Sequence, residues 1–135
     1  MKTIWAVLLA VLGVSCGFVE DKRAGESGAS AFHSQFNAEK FDDIYSSATE
    51  AFRKSISLGE LTEYCAAIRR KLGPFESAET RFVNVNSTNA GKFVSLALAS
   101  QFEQGEATEE FVFLLEGEQM LLERYNINSK LLVLK

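Results

Sequence analysis

The chain is poor in the residues that most chemistry needs: among 135 residues it has one histidine, one proline and two cysteines. His33 stands alone, and a single imidazole without evident partners reads as a surface residue rather than a base or a ligand. There is no Cys-x-x-Cys, no His-Glu-x-x-His, no glycine-rich phosphate loop and no serine nucleophile elbow. Metal and cofactor chemistry are therefore not expected, and no catalytic residue is assigned. With 14 Lys and Arg against 18 Asp and Glu, a net charge of −4, the chain also lacks the clustered basic charge that neutralises phosphates, which argues against nucleic acid as a partner. Arg69-Arg70-Lys71 is the nearest approach to such a cluster, and its place at the end of a helical pattern, where cations complement the macrodipole, accounts for it. A long apolar run is missing too. Crossing a bilayer takes roughly 20 apolar residues, whereas the run from Ile4 to Val14 gives way at Glu20-Asp21-Lys22-Arg23.

Carboxylates are plentiful but not paired for acid/base work. Glu109 and Glu110 are neighbours on a predicted strand and point to opposite faces, so they cannot act together. Asp42 and Asp43 fall in the first turn of a helix, where negative charge is favoured, and Glu116 and Glu118 flank a turn in solvent.

What the chain does have is an address. Met1-Lys2-Thr3, the apolar run and Ser15-Cys16-Gly17 make up a bacterial export signal. The segment resembles the lipobox of bacterial lipoproteins, in which small residues precede a lipid-modified cysteine. That resemblance implies a signal peptide over 1–15 and Cys16 as the lipid-attachment residue. Its palmitate-type acyl chains would each contribute about 0.8 kcal/mol of membrane affinity per buried CH₂. Gly13 stands where the lipobox usually has Leu, and Gly13 with Ser15 also satisfies ordinary signal cleavage, so free secretion is the alternative. In a Gram-negative host, Gly17 after the cysteine resembles lipoproteins sent to the outer membrane. Cys65 sits in a helical apolar pattern and reads as a small buried hydrophobe; a disulfide to Cys16 is the alternative that lipidation would forbid.

Removing residues 1–15 takes away Lys2 and no acid, leaving a net charge of −5. About 120 residues then remain, enough for one domain with one core. Residues 16–30, rich in Gly, Ser, Ala and charge, read as a flexible tether, and 31–135 as a single α+β domain. Phe41, Ile44, Tyr45, Ala48 and Phe52 recur at helical spacing, preceded by Phe32 and Phe36 around Asn37, which breaks one helix and caps the next. Ser57 and Glu60 form a capping box opening a helix with the stripe Leu61, Tyr64, Cys65, Ile68 and Leu72, which Gly73-Pro74 stops. After Pro74 the period becomes two. Strands are expected over Phe75–Asn86, Lys92–Glu103, Thr108–Glu116 and Glu118–Asn128, with Leu131–Leu134 extending the last or adding an edge. Short connections make them antiparallel neighbours. Val94, Leu96, Leu98 and Phe102 share one face of the second strand, and Phe111, Phe113 and Leu115 one face of the third.

N-terminal helices packed on a curved four-stranded antiparallel sheet make an α+β layout. The element order, Phe41-x-x-x-Tyr45, Arg69-x-x-x-Gly73 and the four-strand tail resemble the cystatin-like, nuclear-transport-factor-type superfamily, in particular its small bacterial secreted and lipoprotein domains. The resemblance implies a cone and supplies no catalytic residues. Such cones often enclose a ligand pocket, which Tyr45, Tyr64 and Phe113 would line here, against the plainer expectation of a filled core. The leading functional expectation is a lipid-tethered, non-enzymatic domain that binds an envelope protein partner. The alternative is an enzyme or small-ligand carrier using the cone interior, with Arg81, Glu123, Arg124 and Tyr125 to inspect if they point inward.

Overall fold

The computed structural model describes residues 2–134, with side chains from residue 17 onward. The expected lipid-attachment residue Cys16 therefore has its side chain outside the described residues. Helix α1 spans Lys2–Asn37, followed by α2 (Phe41–Ser46), α3 (Glu50–Ser55) and α4 (Leu58–Leu72). Strands β1 (Phe75–Thr88), β2 (Gly91–Phe102), β3 (Gly105–Glu116) and β4 (Gln119–Asn128) form one antiparallel meander in sequence order, and the turn α5 (Lys130–Val133) closes the chain. This is the expected α+β class, helices followed by a curved four-stranded sheet.

α4 forms as its sequence demands. The Ser57 hydroxyl accepts from the Glu60 N–H while the Glu60 carboxylate accepts from the Ser57 N–H, each at 3.1 Å. Leu61, Cys65, Ile68 and Leu72 are buried. Tyr64, expected in that stripe, lies at its edge and is 39% exposed. Asn37 does end α1, but its amide caps nothing. Its Nδ2 donates to the Phe75 carbonyl and its Oδ1 accepts from the Phe75 N–H, at 2.9 and 2.8 Å, pinning the start of β1. Arg69 donates to the Asn37 carbonyl at 3.1 Å, a cation at the negative end of α1. The apolar stripe from Phe41 to Phe52 is broken into α2 and α3 by Thr49, whose hydroxyl caps α3 and whose N–H donates to the Leu122 carbonyl of β4 at 2.9 Å. Leu131–Leu134 does not extend the sheet. The Ser129 hydroxyl accepts from the Leu131 N–H and turns the chain into α5.

The largest departure lies in 16–30. These residues are helical, continuous with α1, and from residue 21 onward they pack on the sheet instead of hanging free. Composition misleads here because small residues serve close approach: a Cβ on Gly25 would lie 2.9 Å from Val94 Cγ1, and one on Gly28 3.0 Å from the Phe113 ring. Asp21 pairs with Lys92 at 3.2 Å, and Glu26 accepts from the Thr80 hydroxyl at 2.5 Å. α1 thus lies across the sheet and touches all four strands. Gly25→Leu is expected to destabilise the domain by about 1–3 kcal/mol through overpacking, outweighing a helix-propensity gain of about 1 kcal/mol. A urea midpoint equal to that of the unaltered chain would show that the helix is not seated there.

One face of β2, Val94, Leu96, Leu98, Ser100 and Phe102, meets one face of β3, Ala107, Glu109, Phe111 and Phe113, and all of these are buried under α1. Phe32 and Phe36 of α1, Phe102 and Phe111 interlock at ring-centroid distances of 5.1–6.4 Å, filling the centre. Register shifts between Thr80 and Phe82 in β1 and between Val112 and Phe113 in β3 add curvature.

Candidate functional site

Glu109 is the one charged residue of β3 that faces inward, and it is fully buried. Its carboxylate accepts three bonds from three elements: from the Ser100 hydroxyl of β2 at 2.6 Å, from the Tyr125 hydroxyl of β4 at 2.5 Å, and from His33 Nε2 of α1 at 2.8 Å. His33 is 5% exposed, stacks face to face on Phe75 with centroids 3.5 Å apart, and meets Phe111 edge-on. Three donors thus pair the oxygens of a carboxyl group that its aromatic surroundings shut off from water. Burial first, then the negative charge of Glu109, holds the Tyr125 phenol well above its ordinary value.

His33 is thus buried, not the surface residue expected, and Glu109 sits at the centre of a network instead of standing idle. One signal for Glu109 was available: it shares its parity on β3 with Ala107, Phe111 and Phe113, so a strand that buries those residues buries it as well. His33 falls i+4 from Ala29 and i−3 from Phe36 on the buried face of α1.

Two concave spaces open among the described residues, and the smaller borders this network. A groove of about 990 Å³ opens at the hairpin-turn end, with Phe32, Phe113 and Met120 among its apolar residues and Arg53, Glu116 and Glu118 among its polar ones. A cleft of about 200 Å³ is lined by Glu26, Ala29, Ser30, His33, Phe75, Ala78, Thr80 and Leu98. Because a carboxylate only accepts, His33 Nε2 is the donor of the Glu109 bond, and in the Nε2–H tautomer that this bond selects Nδ1 is an acceptor. Nδ1 makes no hydrogen bond among the described residues.

Of the three expected pocket residues, Phe113 alone lines the groove. Tyr45 instead donates its hydroxyl to the Arg53 carbonyl at 3.0 Å, and Tyr64, 39% exposed, lines neither space; partial burial raises its phenol above the ordinary value. Tyr125 does point inward. Arg81 is exposed beside Glu79, Arg124 is exposed, and Glu123 accepts from the Thr49 hydroxyl at 2.7 Å. Cys65 is a free, fully buried thiol whose pKa burial pushes up to about 12. No family model matches the chain, and no curated protein is significantly similar to it.

Proposed function

We propose that the chain is an exported, lipid-tethered, non-enzymatic domain of the bacterial cell envelope, and that the groove at the hairpin-turn end receives a protein partner there. The groove is the observation that carries this reading. Its α1 wall begins at Ala24, and the helix continues without a break towards Cys16. At 1.5 Å per residue that separation is about 12 Å, so acyl chains on Cys16 would hold the groove close to a membrane surface. The helix-then-meander layout also supports the resemblance to cystatin-like lipoprotein domains. In a Gram-negative host the outer membrane is the expected destination.

Two measurements test this. The mature protein from its native host is expected to begin at Cys16 with an acyl-sized mass increment and to sediment with membranes, while Cys16→Ser leaves it soluble and unmodified. A free thiol on a dissolved product would favour plain secretion and end the tether. A photo-crosslinking residue at Gln119, in the groove, is expected to trap one partner in membranes, whereas the same residue at Arg70, outside it, traps none. Equal trapping at both positions would remove the groove as the binding surface. The His33–Glu109 pair and the adjoining cleft favour a second reading, a small-ligand site within the cone.

A further inference from the structure

The cleft beside His33 is built differently from the groove: it gathers hydrogen-bond acceptors and holds no cationic side chain. His33 is 5% exposed, its Nε2 is committed to Glu109, and its Nδ1 has no partner among the described residues, while the ring forms part of the cleft wall. Glu26 Oε2 accepts from Thr80, and Oε1 has no partner among the described residues. The Thr80 proton is spent on that bond, so the oxygen of this cleft-lining residue is left as an acceptor. No lysine or arginine among the described residues lies within ion-pair distance of Glu26 or Glu109.

We propose that this cleft binds an ammonium group carried on a short apolar stem, supplied by a free small amine or by the lysine side chain of a partner. An ammonium has three donors and no acceptor, which complements Nδ1, Glu26 Oε1 and the Thr80 oxygen. The apolar walls Ala29, Ala78 and Leu98 suit a short stem, and about 200 Å³ is below the roughly 300–1,000 Å³ of pockets for drug-sized ligands. An anion would meet Glu26 with Glu109 behind it, and a neutral alcohol would leave the carboxylate uncompensated. This site is independent of the groove and of the tether, so either reading stands if the other fails.

His33 is the only histidine, so its ring signals in an NMR spectrum of the full ¹⁵N-labelled chain report on this cleft alone. Titration with n-butylammonium or Nα-acetyl-lysine amide is expected to shift them saturably, and the tighter of the two identifies the source of the amine. Butan-1-ol and butanoate are expected to leave them in place. Glu26→Gln, which retains an oxygen to accept from Thr80, is expected to weaken amine binding by about tenfold or more, with backbone signals elsewhere unchanged. Absence of a saturable shift, the same shift with butan-1-ol, or unaltered affinity in Glu26→Gln would overturn the proposal.

Discussion

Glu109→Ala is expected to lower the stability of the domain by about 3–5 kcal/mol, because removing the common acceptor of a buried hydrogen-bonded network leaves three donors orphaned. That is a large part of the 5–15 kcal/mol typical of a domain, so a population of unfolded chain at 37 °C is expected as well. Ser100, Tyr125 and His33 all lose their common acceptor at once, and the space left behind adds to the cost. The same logic predicts non-additivity. His33→Leu, Ser100→Ala, Glu109→Leu and Tyr125→Phe combined leave no unpaired polar atom and are expected to regain most of what Glu109→Ala loses. Equilibrium urea unfolding monitored by circular dichroism measures both. An unchanged midpoint for Glu109→Ala would mean that water reaches the carboxylate and the network is not buried.

Raising the pH above about 9 is expected to weaken the fold progressively. Cys65 gives up its proton near its ordinary value of 9.0 when unfolded but only at about 12 when folded. Above pH 9 the native state therefore holds a proton that the unfolded chain has lost. The stabilisation is complete below that pH and declines as the pH climbs towards 12. At 1.36 kcal/mol per unit the loss from this thiol alone approaches about 4 kcal/mol. Tyr125, held well above its ordinary value by burial and by Glu109, acts in the same direction from about pH 10 upward. Urea unfolding between pH 7 and 11 is expected to show a falling midpoint, and Cys65→Ala a shallower fall from a lower start. A flat profile would show that the thiol and phenol are solvated in the native state. The same burial keeps Cys65 from reacting with thiol reagents until the chain opens.

These effects centre on residues that the sequence renders unequally. α4 was legible from Ser57, Glu60 and the Gly73-Pro74 stop because a capping box and a terminator are local signals, written within a few residues. The four strands were legible for a similar reason, since alternation and short turns dictate pairing without knowledge of the rest. Residues 16–30 were not. Gly25 and Gly28 look like linker residues until Val94 and Phe113, about seventy and eighty-five positions away, are brought against them. The network was hidden in the same manner: Ser100 and Tyr125 carry no individual mark, and His33 is separated from Glu109 by 76 residues. Local chemistry is readable from a single chain, whereas a contact that exists only after the sheet closes leaves its trace chiefly in strand parity, as at Glu109.

The seating of α1 has a mechanical consequence. Since the helix lies across four strands and is keyed onto them by glycines, a pull on the beginning of the chain does not unspool a slack cord. It loads the sheet broadside, over many contacts at once, so the body behaves as a strut whose rupture requires the helix to be peeled from its bed.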